Sequence, residues 1–462
     1  MNSYRFILED YHAIKNADII LDGLTVLAGL NGCGKSTISR WLYGFVKFSN
    51  GYDLIVDRET ATTLYDRNRQ LFEIQRRISF WAKSNILPTP PNLNGDLEYE
   101  ISALQERVED IRDSVEKHLS GELLVKYGKE LWNALGVNDN GTDIQDKISA
   151  FVKKEQDFLS SKIETADRRK SECSIADLYS IIEYNLGLNS KGPLNMQLTE
   201  NGTDLLDHDF EYLVDTDGTR LCDSDGKLLV TDRILGRFLA PMGLKRAIYI
   251  DSPMAITNQS MDSNRLWRDF GMMLYTPLKP MKQEAIRIVR EIMLILGGEI
   301  IVKDEGLNHK EMRYVRKTDG LNISIDDVAT GMKTFAYILR LLQNGYIDSE
   351  TMLIIDEPEA HLHPQWIVKF AKILVLIQKL LGTKIMVASH DPDMVAAINA
   401  MSEAEGLSEV TNFYQATKES GDSSYTYIKS GNDISRIFES FNIALDRIDG
   451  YRSIGDHTPE NA

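Results

Sequence analysis

Three short stretches of this sequence carry residue types that can do chemistry. The first is Gly29-Leu30-Asn31-Gly32-Cys33-Gly34-Lys35-Ser36, followed by Thr37. It satisfies the pattern G-x-x-x-x-G-K-[ST] at every fixed position. Glycines at those places let the backbone fold tightly enough to aim several N–H groups at one anion, at the positive end of a new helix. Gly29, Asn31, Gly32, Cys33, Gly34, Lys35, Ser36 and Thr37 are therefore expected to cradle a nucleotide triphosphate. Lys35 would reach the β- and γ-phosphates and the Ser36 hydroxyl would ligate Mg²⁺. The second stretch is Ile354-Ile355-Asp356-Glu357. Asp356 is placed to hold Mg²⁺ and Glu357 to polarise an attacking water, a reaction that depends on positioning and charge. The third is Ser389-His390, with His390 expected to sense the γ-phosphate.

These groups need a scaffold that brings them to one edge. Leu24–Ala28 is a short apolar, β-branched run, the mark of a buried strand, and Ile38, Trp41 and Leu42 follow the loop at helical spacing. Met352–Asp356 is an apolar strand ending in acids, and Lys384–Ser389 is another ending at His390. In an open parallel sheet the carboxyl ends of such strands lie together. From Met352 onward strand and helix alternate. The expectation is an α/β fold with a phosphate-loop domain in two segments, 1–50 and 240–430. Tyr4–Leu8 and Ala17–Leu21 read as further strands. Tyr11 and His12 are more plausible as packing than as an adenine platform.

The region 51–239 has the character of an insertion. Leu97, Ile101, Leu104, Val108, Ile111 and Val115 step by four and three, and Ile144, Ile148, Phe151, Phe158 and Ile163 form a second stripe. An antiparallel helical hairpin over 97–190 is predicted, its first helix about 30 Å long. Asp66–Arg69, Arg76 and Arg77, with Phe72, Phe80 and Trp81 among them, read as a solvated helix face rather than a nucleic-acid contact. Asn201-Gly202, Asp217-Gly218 and Asp225-Gly226 are hairpin turns, which predicts a β-meander over 195–232. Asp433 to Tyr451 reads as an amphipathic helix within a C-terminal segment, 431–462.

The chain has 462 residues, more than one core usually serves, with 43% hydrophobic residues and a net charge of −17. That charge disfavours an all-over nucleic-acid coat. Cys33, Cys173 and Cys222 make no metal or disulfide spacing. No signal peptide and no membrane-spanning run are read, so a cytoplasmic protein without a membrane partner is expected.

Ile355-Asp356-Glu357-Pro358-Glu359-Ala360-His361-Leu362-His363-Pro364 together with Ala388-Ser389-His390 resembles the ABC-type ATPases of the SMC/RecF branch. Within it the sequence is similar to the ATPase of overcoming-lysogenization-defect (OLD) proteins and to ATPase subunits of bacterial antiphage systems such as Septu and PARIS. The resemblance covers about 1–50 and 240–430. It implies ATP and Mg²⁺ as ligands. It also implies a helix-start turn that completes a partner copy's ATP site, matched by Val328-Ala329-Thr330-Gly331-Met332-Lys333. Gly331 is retained, but Ala329 and Met332 depart from the usual serine and glutamine, which implies slow or conditional hydrolysis. Thr330 and Lys333 would add donors. The same resemblance places the turn with His361 and His363 at a dimer interface. It implies a homodimer or higher oligomer with shared ATP sites, and a separately encoded effector, often a nuclease in this class, since no nuclease module is read after His390. Nucleic acid would be met through the complex. The alternative is a DNA-repair or chromosome-organising ATPase that binds DNA directly, against which the short heptad run and the net charge both count.

Overall fold

The computed structural model describes residues 3–84, 87–118, 121–137, 143–188, 195–201, 211–215, 218–222, 228–231, 243–251, 265–304, 310–418, 423–430 and 434–438. The strands are β1 (Ser3–Tyr11), β2 (Ile14–Leu21), β3 (Leu24–Ala28), β4 (Asn195–Asn201), β5 (Glu211–Asp215), β6 (Gly218–Cys222), β7 (Leu228–Thr231), β8 (Arg246–Ile250), β9 (Glu299–Asp304), β10 (Lys310–Arg316), β11 (Leu321–Ser324), β12 (Thr351–Asp356), β13 (Lys384–Ser389), β14 (Thr411–Thr417) and β15 (Tyr425–Lys429). The helices are α1 (Lys35–Asn50), α2 (Tyr52–Trp81), α3 (Leu97–His118), α4 (Glu122–Leu135), α5 (Ile144–Glu172), α6 (Ile175–Leu186), α7 (Arg265–Tyr275), α8 (Ala285–Leu296), α9 (Thr330–Gln343), α10 (Pro364–Leu381) and α11 (Pro392–Ala404).

A nine-stranded sheet in the order β4-β1-β2-β15-β14-β3-β13-β12-β8 organises the larger of two compact units, residues 1–50 and 174–462. β14, β3, β13, β12 and β8 run parallel, as continuous apolar runs buried on both faces do. β1 pairs antiparallel with β2 and β4, and β15 antiparallel with β14. Leu24, Val26, Ile248, Ile250, Leu353, Ile355, Ile385 and Val387 face one core with α8 to α11. On the other face Tyr249 meets Tyr43 and Asp356 meets Ser39, both from α1. This is the expected α/β arrangement with a phosphate loop at the carboxyl edge of a parallel sheet.

The smaller unit, residues 51–173, holds α2 to α5. Leu104, Val108, Ile111 and Val115 of α3 are buried with Leu64, Leu71 and Ile78 of α2, Leu131 and Leu135 of α4, and Ile148, Phe151 and Leu159 of α5. The heptad residues thus do form a helical core, but the two-helix hairpin is corrected to four helices, the longest of them α2. Three of its basic residues are paired: Arg67 with Glu155, Arg76 with Glu73, and Arg77 with Glu130. Trp81 stacks on Tyr127 with ring centroids 4.9 Å apart.

The boundary of the insertion also differs from expectation. The compact helical unit closes at Cys173, and α6 packs instead on α1, where Trp41 meets Tyr179 edge-on. Gly44 permits that approach, since a Cβ there would come within 2.7 Å of Ile182. β5-β6-β7 form an antiparallel meander, while β4 joins the main sheet beside β1. Gly202, Asp217, Asp225 and Gly226, named for the turns, lie outside the described residues, as does most of the helix expected over 433–451. Among the described residues, no helix is long and apolar enough to cross a membrane.

Candidate ATP site

Register brings three strand ends level: Ala388 pairs with both Leu27 and Asp356, and Ser389 with Ala28. The loop after β3, the acids after β12 and the histidine after β13 therefore emerge side by side. Gly32 and Gly34 have φ of +83° and +96°, left-handed values that favour glycine. Gly29 is required for a different reason: a Cβ there would lie 2.8 Å from Ala416 and 2.9 Å from the Cys33 sulfur. Lys35, 5% exposed, donates through Nζ to the carbonyls of Gly29 at 2.8 Å and Leu30 at 3.0 Å. It thus spans the loop it belongs to. Cys33 is buried, and its carbonyl accepts from the Tyr427 hydroxyl at 3.1 Å. Thr37 and Ile38 both donate their backbone N–H to Gly34 O, starting α1, while Asn31 and Ser36 are exposed.

Asp356 is 1% exposed and held by hydroxyls. Ser39 Oγ donates to Oδ1 and Tyr249 Oη to Oδ2, each at 2.7 Å. Burial nevertheless lifts its carboxyl above the usual range, the hydroxyls opposing that shift. The Arg40 guanidinium lies 3.5 Å from Asp251 at the end of β8.

Glu357 donates its backbone N–H to Ala388 O at 2.8 Å and sits at φ +47°, a strained value for a non-glycine residue. Its side chain is part exposed, and Oε1 lies 3.6 Å from His390 Nδ1. The structure therefore gathers Lys35, Ser36, Asp356, Glu357 and His390 at one edge. Hydroxyl and carboxylate oxygens at Ser36 and Asp356 are the hard donors that Mg²⁺ takes.

Thr330, Gly331 and Lys333 sit apart from this group, at the start of α9. A Cβ on Gly331 would meet Leu362 at 3.1 Å and His361 O at 3.2 Å. Lys333 Nζ donates to Asp326 O at 2.9 Å. His361 adopts φ +67°, and His363 caps α10, accepting from Gln365 N at 3.3 Å. Tyr11 is buried edge-on against Trp41 at 5.6 Å, a packing role.

Sequence reasoning missed Ser39, Tyr249 and Glu359. Glu359 is buried and accepts from Ser389 Oγ at 2.8 Å and His390 N at 3.0 Å. Its place in the Asp-Glu-Pro-Glu run was the available signal. Tyr249 offered none, because only the strand order puts β8 beside β12.

Residues 244–396 match a family model described as "AAA domain, putative AbiEii toxin, Type IV TA system". Septu protein PtuA of Bacillus thuringiensis is 34% identical over 152 residues, 30% of this chain and 37% of PtuA. The chain thus spans little more than a third of that relative's length. Among solved structures, the SMC head domain from Thermotoga maritima is similar at 12% identity and a TM-score of 0.36, covering 93% of this chain and 98% of that one. An Smc head domain with a coiled coil and joint derived from Pyrococcus yayanosii is similar at 11% identity and a TM-score of 0.35, covering 96% and 100%. Overlays this loose carry no argument of their own.

Proposed function

We propose, from the premise that the chain is an ABC-type ATPase related to Septu defence proteins, that it is the ATP-driven switch subunit of an antiphage complex. Two copies would close head to head around ATP and control a separately encoded effector, a nuclease by the resemblance. The observation that supports this best is the level emergence of the phosphate loop, Asp356-Glu357 and His390 from neighbouring parallel strands.

In this reading Lys35 exchanges the carbonyls of Gly29 and Leu30 for phosphate oxygens, and the loop's backbone N–H groups take the β-phosphate. Ser36 and Asp356 hold Mg²⁺, which when bound neutralises charge on the β- and γ-oxygens. Glu357 accepts a proton from the attacking water as its oxygen bonds to the γ-phosphorus. The bond from that phosphorus to the bridging oxygen breaks, and ADP departs. His390 donates a hydrogen bond to the γ-phosphoryl group. The start of α9 from the partner copy, led by Gly331, covers the opposite side.

ATP turnover by Lys35→Ala and Glu357→Gln tests the site. Loss of a phosphate-holding cation or of the proton acceptor is expected to cost about 10²-fold or more in kcat. Glu357→Gln should still bind ATP. Wild-type turnover in both variants would remove the site from consideration.

A further inference from the structure

The turn after β12 contains a second glutamate whose environment the catalytic reading leaves unexplained. Glu359 is buried, its side chain only 3% exposed. Oε1 gathers three groups from the strand end opposite: Ser389 Oγ at 2.8 Å, His390 N at 3.0 Å and His390 Nδ1 at 3.3 Å. Oε2 is equally buried and has no hydrogen-bond partner, and neither has His390 Nδ1. A buried acceptor and a buried ring nitrogen, both unsatisfied and adjacent, are a costly pair unless one hydrogen bridges them. Nδ1 already lies 3.3 Å from the same carboxyl group. Burial also holds the Glu359 carboxyl above the usual carboxylate range, against the opposing hydrogen bonds from the backbone and Ser389.

We infer that Glu359 is a positioning residue for His390, its carboxylic acid O–H donating to Nδ1 and so leaving Nε2–H as the donor turned toward the nucleotide. An imidazole free at both nitrogens samples two tautomers, only one of which carries hydrogen on Nε2. A hydrogen donated to Nδ1 by the neutral Glu359 carboxyl removes that ambiguity, keeps the ring's own hydrogen on Nε2 and fixes the ring plane. Glu357, 3.6 Å from the same nitrogen, is part exposed and is left for water. The inference rests on the proposed role of His390 toward the γ-phosphate. The plain alternative is that Glu359 only anchors the backbone at 389–390.

The two readings separate on the imidazole itself. The full chain labelled with ¹⁵N-histidine, without nucleotide, should show a His390 ring protonated at Nε2 and hydrogen-bonded at Nδ1, the signal assigned by its loss in His390→Gln. Glu359→Gln supplies both an acceptor for Ser389 and an N–H for Nδ1, so it should keep that signature. Its kcat should stay within about threefold of wild type. Glu359→Ala should release the ring to tautomer averaging and lower kcat by about tenfold or more, with KM changed less. If the alanine variant melts early, Glu359→Met keeps the volume and removes the hydrogen-bonding oxygens, with the same expectation. A wild-type His390 with a free Nδ1 overturns the inference, as does a folded Ala or Met variant with unchanged ring signals. Should wild type hydrolyse no ATP, the functional reading fails while the ring signals still decide this one.

Discussion

Asp356 is held by two hydroxyls, and no motif marks either of them, unlike Ser36, which the phosphate loop marks as a fellow Mg²⁺ ligand. Ser39 lies one helical turn further along α1, and Tyr249 stands on a strand more than a hundred residues before Asp356. Neither is part of a recognisable spacing, so their roles exist only once β8 and α1 flank β12. Each spends a hydroxyl hydrogen on one carboxylate oxygen at 2.7 Å. Tyr249→Phe or Ser39→Ala leaves a buried carboxylate oxygen short of a donor, which costs about 1–3 kcal/mol. Chemical denaturation at neutral pH should register that loss, and unaltered midpoints in both variants would mean that Asp356 is solvated by other means. Glu357 and His390 were readable for the opposite reason: each ends a strand whose apolar run is continuous in sequence.

At the scale of elements, legibility followed apolar periodicity. α3 and α5 were found through their stripes, whereas α2 was not counted among the insertion's core helices. Its buried positions include Thr60, Asn68 and Gln75, polar residues that break the apolar pattern. Asn68 and Gln75 turn inward because buried Arg107 of α3 donates to both. A stripe satisfied by one guanidinium looks like surface in sequence. The edge of the main sheet is fastened by a comparable device. Asp348, 1% exposed just before β12, takes Arg246 of β8 at 2.6 Å, Lys279, and the Thr351 hydroxyl at 3.0 Å. Burial alone would raise its carboxyl pKa, but Lys279, Arg246, the Glu350 N–H and Thr351 together hold it below the usual range. Asp348→Ala should therefore destabilise the fold by about 3 kcal/mol at neutral pH, leaving Lys279 without its anion and Arg246 with only Glu350 at 3.7 Å. Because the folded pKa lies below the ordinary ~3.9, the stabilisation is complete above that value. It is lost as pH falls through the lower folded pKa, so the wild-type advantage in urea midpoint should shrink in acid. An advantage that does not change with pH would show that Asp348 contributes by packing and not by charge.

For the whole molecule, the joining of the first and later segments in one unit was legible because phosphate loop and acidic strand must share one sheet. The closing boundary of the insertion was not, since α6 continues the helical character of α5 while burying Ile182 and Leu186 beside α1. The same scale governs the assembly proposed above. Gly331 is buried against the turn at His361 and Leu362 of its own chain, so the start of α9 and that turn form one packed element. Such an element, presented to a second copy, would complete that copy's phosphate site while leaving its own loop untouched. Glu357→Gln with Mg²⁺ and ATP should then trap a species of twice the chain mass in light scattering. Adding Gly331→Glu places a bulky anion where a γ-phosphate would be met. It is expected to return the protein to single-chain mass, with ATP affinity of the isolated copy within about threefold, because like charges at such an interface repel. The phosphate loop and Asp356 are unaltered in both proteins, and a retained ATP affinity shows that the new side chain, though tight against Leu362 and His361 O, has not disturbed the nucleotide site of its own copy. A Glu357→Gln protein that stays single at saturating ATP would leave Gly331 without a phosphate to meet, and the shared-site switch would have to be abandoned.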